Sequence, residues 1–353
     1  MNTFSLDSKI DRTLTVKGKI YHYFSGTSYL GIGQSPEFQE ELIRGMEQYG
    51  LNHGLSRINN VRLSIYEKFE EAFAKQAEAE NAIVMSSGYL AGMTALQYLT
   101  DKCDQIWVAP DTHPAILPFD LKPDPKTSFD SWKQSCLEKS RKIPSQKILI
   151  LGNAVNPMIP EIHEYDWVGQ LAEKHDVTLL IDDSHAFGVI GKSVFGTYYR
   201  WKDLSINLLV SGSLGKGLGL PAGIILCNEK TAENIRKLPI YGGASPCPPA
   251  YLHAFLKSKE LYREQKSRLM QLIKYFEKKN EIPEHIYGIK NYPVFSYRPE
   301  TWVEKLEAKK IITSSFPYPT SKDKSVNRII LSSFHTAEDI DSLWAYIKEI
   351  YQR

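Results

Sequence analysis

The stretch "INLLVSGSLGKGLGLPAGIILCN", Ile206 to Asn228, sets two short apolar runs on either side of a glycine-rich turn that carries one lysine, Lys216. Both runs, "INLLVSGS" (206–213) and "AGIILCN" (222–228), are uncharged and rich in aliphatic side chains, the pattern of strands buried on both faces. A lysine in such a turn serves either as a phosphate-binding cation or as an amine. A Walker phosphate loop needs Gly, four residues, then Gly-Lys-Ser/Thr; here Val210 stands five before Gly215, and Gly217 follows Lys216. That spacing fails. A dinucleotide fingerprint fares little better, because no early strand-turn-helix unit carries it. What remains is an amine whose pKa falls on desolvation, able to form a Schiff base with an aldehyde cofactor or a carbonyl substrate.

Similar runs recur upstream: "AIVMSS" (82–87), "QIWVA" (105–109), "KILILGN" (147–153) and "VTLLIDD" (177–183), mostly separated by helix-like stretches. This alternation predicts an α/β fold, a mainly parallel buried sheet with helices on both faces. In "VRLSIYEKFEEAFAKQAEAE", Leu63, Tyr66, Phe69, Phe73 and Ala77 recur at helical spacing and predict a core-facing helix before the first strand. From about Pro248 long helical periodicity takes over, followed by "VFSYR", "KKIITSSFP", "RIILSSFH" and the helix "AEDIDSLWAYIKEIY". The expected division is an N-terminal arm (1–35) packing with a small domain, a large α/β domain (36–245), and a connecting helix with a small C-terminal α+β domain (246–353).

A chain of 353 residues that is 42% apolar can bury a large core. With 43 basic and 41 acidic residues, a net charge of +2 makes no electrostatic case for nucleic acid or an anionic membrane as partner. Lysine-rich pieces such as "FEKKNE" and "LEAKKI" are expected to be solvated helix faces. Cys103, Cys136, Cys227 and Cys247 are widely spaced without a CxxC pair, so neither a disulfide framework nor a metal site is expected. A reducing cytoplasm fits this usage best. The opening "MNTFSLDSKIDRTLTVKGK" lacks the apolar core of a signal peptide, and no segment approaches the roughly 20 apolar residues of a membrane span.

In an open α/β sheet ligands gather at the carboxyl ends of the strands. There the sequence places Asp182 three residues before His185, in "IDDSHAFGVIG". Ser87, Gly88 and Tyr89 open a helix after the first run, and small residues with N–H groups at a helix N-terminus suit a phosphate. His113, in "APDTHPA", and Ser213, three before Lys216, reach the same edge. Each alone has a plain structural explanation: a helix cap, a satisfied turn histidine, a tight turn. Together, a lysine amine, a carboxylate, a phosphate seat and a flat imidazole are the parts that pyridoxal 5′-phosphate requires, the carboxylate keeping the pyridine nitrogen protonated.

These residues carry a resemblance. "IDDSHAFGVIGKSVFG" is similar to the D-[DE]-A-H-x-x-G-x-x-G-x-x-G signature, and "SGSLGKGLG" to the T-x-x-K-[AG]-x-G segment, of the α-oxoamine synthases, fold-type I pyridoxal-phosphate enzymes. Further similarity runs through "FSGTSYLGIGQSP", "YGLNHGLSR", "SSGYLAG", "DTHPAI" and "RIILSSFHTAEDID". The resemblance implies Lys216 as the Schiff-base lysine and later base, Asp182 as the pyridine-nitrogen partner, His185 on the phenolic oxygen and His113 stacked on the ring. It implies cofactor contacts at Ser87, Gly88, Tyr89 and Ser213, at Asn156 in place of a serine, and at Ser245 in "YGGASPCPPA", a segment reaching a neighbouring subunit. It also implies Arg328 as the grip on the amino-acid carboxylate, Thr27 standing where the family has asparagine beside it, and Thr320 at the acyl donor.

The function so implied is condensation of an amino acid with an acyl-CoA or acyl-carrier thioester, with loss of carbon dioxide, by a cytoplasmic homodimer with shared active sites. A class I/II aminotransferase, or another pyridoxal-phosphate enzyme on the same fold such as a lyase, is the alternative, because the stretch "GNAVNPMIPEI" lacks the family's acid and is shorter by several residues. A non-catalytic binding subunit is a third, and retention of Lys216, Asp182, His185 and His113 speaks against it.

Overall fold

The computed structural model describes residues 3–156, 158–278, 284–317, 323 and 325–351. The chain divides into two compact units, a smaller one of Met1–Ser35, Met158–Glu161 and Tyr262–Arg353, and a larger one of Pro36–Pro157 and Ile162–Leu261. The break after the larger unit falls at Leu261, where the sequence suggests 245. The smaller unit begins with β1 (Thr13–Val16) and β2 (Lys19–Phe24). The larger unit supplies β3 (Asn81–Met85), β4 (Gln105–Val108), β5 (Lys147–Asn153), β6 (Asp176–Asp182), β7 (Asn207–Ser213) and β8 (Gly223–Cys227). The smaller unit resumes with β9 (Ile286–Gly288), β10 (Val294–Tyr297), β11 (Ile311–Pro317) and β12 (Ser325–Ile330).

The larger sheet has the order β3-β8-β7-β6-β5-β4. β4 through β7 pair in parallel, whereas β8 is antiparallel to both β7 and β3. The reason lies in the stretch around Lys216. A parallel crossover needs a dozen or more residues, and β7 and β8 are joined by fewer, so the second apolar run folds back on the first with Ser213 opposite Gly223. Ile83, Leu149, Leu151, Leu180, Leu209 and Ile225 are buried on one face, against Ala91, Ala95 and Leu99 of the helix Gly88–Thr100. Each such aliphatic side chain contributes about 1.5–3 kcal/mol on burial.

The helix expected around Phe69 spans Ile65–Ala77 and buries Tyr66, Phe69, Phe73 and Ala77, while Leu63 lies before it and is half-buried. Phe73 meets the rings of Phe187 and Phe195 edge-on at 5.9 and 4.8 Å. Glu70 is also buried on this face, at 4% exposure. It accepts hydrogen bonds from Arg57 Nη1 at 3.0 Å and Val84 N–H at 2.9 Å, which offset the cost of removing a carboxylate from water.

In the smaller unit the strand order is β1-β2-β11-β12-β10-β9. Lys17 and Gly18, both at positive φ (48° and 73°), form the tight turn that folds β1 onto β2. The helix Ala337–Tyr351 buries Ile340, Leu343, Trp344, Ile347 and Ile350, as its 3.6-residue spacing requires. Among the described residues no helix is long and apolar enough to cross a membrane.

Candidate active site

Several of the expected site residues lie at the ends of β6 and β7, in the turns that follow β4, β6 and β7, and at the start of the helix after β3. Asp182 is the last residue of β6 and is 5% exposed. Its Oδ1 accepts the Ser184 N–H at 2.7 Å, and its Oδ2 lies 3.7 Å from His113 Nδ1. His113 Nδ1 accepts the N–H of Ala115 at 3.1 Å, so the neutral ring carries its proton on Nε2. Burial holds the His113 pKa below the ordinary histidine value; the Asp182 carboxylate opposes this and the Lys216 charge reinforces it. A flat, neutral imidazole beside a buried carboxylate is the result. Lys216 Nζ stands 3.0 Å from His185 Nε2, within hydrogen-bond distance.

Ser87 caps the helix Gly88–Thr100, its Oγ accepting the Leu90 N–H at 3.2 Å. A Cβ on Gly88 would stand 2.5 Å from the Ser213 backbone, and one on Gly223 would stand 2.1 Å from Ser87 O. Only glycine permits this approach, which brings the helix N-terminus, Tyr89 and Ser213 to one place. Ser213 Oγ accepts the Gly215 N–H at 3.2 Å. A Cβ on Gly217 would meet Phe187 O at 2.2 Å, so the Lys216 turn is pressed against the turn bearing His185.

Lys216, His185, Asp182, His113, Ser87, Gly88, Tyr89 and Ser213 therefore belong to one sheet edge of the larger unit. Asn156 follows the bridge between Val155 and Ile162 and is half-buried. Ser245 is exposed between the helices Pro239–Gly243 and Pro249–Lys257. Thr27 and Arg328 belong to the smaller unit, where they line a cavity of about 400 Å³ with Phe4, Tyr23, Ser25 and Phe316. Arg328, on β12, is 7% exposed, and its guanidinium lies 5.3 Å from the centroid of the Phe316 ring. Thr320 lies outside the described residues.

Sequence reasoning missed Asp111, Asn153 and His163. His163 Nε2 is 2.9 Å from Asp111 Oδ2, and Asn153 Oδ1 accepts the main-chain N–H of His113 at 3.1 Å. Asn153 stands at a strand end and is detectable on that ground, whereas His163 follows an irregular stretch with no periodicity to single it out. Among the described residues no group of three or more His, Cys, Asp or Glu side chains is placed to hold a metal ion.

The donor set fits a phosphorylated pyridine aldehyde. Close backbone packing at Gly88 and Gly223 sets a helix N-terminus beside Ser213, a place suited to a phosphate, Asp182 offers a buried carboxylate to a ring nitrogen, and Lys216 offers an amine. Such a cofactor, when bound, supplies an aldehyde for amines and a ring that takes up electron density.

The chain matches the family described as aminotransferase class I and II over residues 29–347. It is 27% identical to 8-amino-7-oxononanoate synthase of Nitrosospira multiformis, covering 98% of this chain and 91% of that protein. It is 26% identical to the enzyme of the same name from Aliivibrio fischeri strain ES114, covering 96% and 91%. Among solved structures, serine palmitoyltransferase of Sphingomonas wittichii aligns with a TM-score of 0.79 at 16% identity, covering 98% of this chain and 91% of that one. The 8-amino-7-oxononanoate synthase of Francisella tularensis aligns with a TM-score of 0.68 at 24% identity, covering 94% and 98%. A match over nearly the whole chain, on a sheet whose strand ends hold these groups, makes this protein a fold-type I, pyridoxal-phosphate-dependent transferase that belongs to the aminotransferase class I and II family.

Proposed function

We propose that the protein is an acyltransferase of the α-oxoamine synthase type, condensing an amino acid with an acyl thioester and releasing carbon dioxide and the thiol. The observation that carries this reading is full-length similarity to enzymes named 8-amino-7-oxononanoate synthase, on a site that keeps Lys216, His185, Asp182 and His113 together. In this reading Lys216 holds the cofactor's aldehyde and then moves the proton at the amino acid's α-carbon, a task suited to an amine in a partly buried turn. With the cofactor bound, Asp182 would keep a proton at its ring nitrogen, His185 would bond its phenolic oxygen, and His113 would face its ring. Ser87, Gly88, Tyr89 and Ser213 take the phosphate, with Asn156 and Ser245 completing the cofactor's surroundings. Arg328 receives the substrate carboxylate, for which a guanidinium is suited by its paired N–H groups, with Thr27 beside that grip; the acyl-donor contact expected of Thr320 lies outside the described residues.

We also propose a homodimer with shared active sites, working in the cytoplasm. The dimer is supported by the exposed apolar side chains of Leu51, Ile58 and Val61, at 70%, 60% and 61% exposure, and by the exposed Ser245 segment. The cytoplasm is supported by four free cysteines.

The deciding experiment measures thiol release from a panel of acyl thioesters with glycine, alanine or serine added, beside keto-acid formation from the same amino acids. Amino-acid-dependent thiol release is expected, and Arg328→Ala should raise the amino-acid KM. Keto acid without thiol release would replace this reading with aminotransfer.

A further inference from the structure

Behind His113 lies a buried pair that the proposed chemistry does not use. His163 Nε2 is 2.9 Å from Asp111 Oδ2, and the two side chains are 1% and 9% exposed. The His163 ring lies flat on Phe129, centroids 3.9 Å apart and planes within 7°. Its main-chain N–H donates to Ala154 O at 3.0 Å, so both ring and backbone are anchored. Asp111 Oδ1 is buried with no hydrogen-bond partner among the described residues, which leaves the Asp111 side chain dependent on its other oxygen. An ionised carboxylate only accepts, so the proton between the two side chains sits on His163 Nε2.

Asn153 connects this pair to His113. Its Nδ2 donates to Asp111 O and lies 3.4 Å from Asp111 Oδ2. An amide has one donor end and one acceptor end. With the Asp111 main-chain carbonyl taking the donor end, Asn153 Oδ1 is turned to the main-chain N–H of His113 at 3.1 Å. Asn153 itself is fixed from two sides, paired in register with Asp182 across β5 and β6, and accepting Tyr165 OH on its carbonyl at 2.9 Å. The Asp111 carboxylate, held by His163, anchors the loop whose main-chain carbonyl takes that amide, so losing the pair would loosen the Asn153 contact and with it the backbone that carries the His113 ring to within 3.7 Å of Asp182.

We infer that Asp111 and His163 are positioning residues that act through Asn153 to set the tilt of the His113 ring beside Asp182. The inference rests on the proposal that His113 lies against the cofactor ring. It concerns orientation of a ring that carries no covalent step, in the manner of a carboxylate–histidine pair that orients a group it does not itself join.

The test uses the holoenzyme and reads two properties other than turnover: the dissociation constant for pyridoxal 5′-phosphate, and the circular dichroism of the bound cofactor's visible band. The double variant Asp111→Leu/His163→Met leaves no unpaired charge and should keep its thermal midpoint. It should nonetheless bind the cofactor about tenfold more weakly, with a diminished band. His163→Gln, whose amide N–H can still donate to Asp111, should retain both wild-type values. His113→Ala should change both, as the reference for loss of the ring. A double variant with wild-type affinity and band, alongside an impaired His113→Ala, overturns the inference alone. An unaffected His113→Ala overturns the underlying reading as well. A double variant that cannot hold its fold, or a His163→Gln as impaired as the double, makes the pair merely structural and likewise overturns it.

Discussion

Asp182 and Asp183 are neighbours in sequence but not in environment. Asp182 points to the site edge, while Asp183 is fully buried behind it, its Oδ2 accepting the Thr197 N–H at 2.6 Å and its Oδ1 accepting from Thr197 Oγ1 at 2.7 Å. Gly196, at φ +79°, makes that approach possible, since a Cβ there would stand 2.3 Å from Asp183 Oδ2. Burial pushes the Asp183 carboxyl up to about 7 against the pull of the two Thr197 bonds, with the Asp182 charge adding to the rise. In the unfolded chain the same carboxyl titrates near 3.8, so between 3.8 and about 7 the folded state holds the proton more tightly. Its contribution to stability is fully present below the lower value and is lost as pH rises through the upper one. Asp183→Asn keeps one acceptor and one donor toward Thr197 and removes the titration. Thermal midpoints measured across this window should therefore fall with rising pH in the wild type relative to the variant; parallel curves would refute the assignment. Such an environment is invisible in the dipeptide "DD". By contrast Lys216, His185 and His113 are legible because each stands within four residues of the end of an apolar run, beside small residues.

At the scale of elements, the site depends on how closely a helix start and a strand end can approach. Gly88→Ala would force a Cβ to within 2.5 Å of the Ser213 backbone, and neither side can yield without moving β7 or the helix. Overpacking of this kind costs about 1–3 kcal/mol, which corresponds to about tenfold weaker cofactor binding if the strain is released by opening the phosphate seat. Titration of the apoprotein with pyridoxal 5′-phosphate checks this, with Gly33→Ala as control, where an added Cβ meets nothing within 4 Å. Equal affinities in the two variants would count against a phosphate at Gly88. Both elements are predictable from local pattern: "INLLVSGS" reads as a strand and "SSGYLAG" as a helix start. The antiparallel setting of β8 is readable only once the loop length between its two runs is weighed, because a buried strand looks alike in either direction. The β1–β2 hairpin escapes pattern reading, since "TLTV" and "KIYHYF" are short and its turn uses Lys-Gly, not the commoner Asn-Gly.

At the scale of the whole molecule, an exposed apolar patch supports the proposed dimer. Leu51, Ile58 and Val61 expose apolar surface within eleven residues of chain, and a partner surface would remove it from water. Light scattering should find a dimer in the wild type and a shift toward monomer when Leu51, Ile58 and Val61 are together replaced by Ser, with turnover falling in step. An active monomer would contradict the shared site. The sequence by itself determined the strand and helix succession of the larger unit, the cluster of polar residues at its strand ends, and the cofactor those residues suit. It could do so because burial periodicity and strand-end chemistry are local properties, written in neighbouring residues. Only the tertiary structure decided that Asp111, Asn153 and His163 form one hydrogen-bonded chain behind His113, and that Glu70 and Arg57 are buried together. Those partners come from separate segments of chain, and the free energy of a buried polar group depends on which segment supplies its hydrogen bond, a choice that no local pattern encodes.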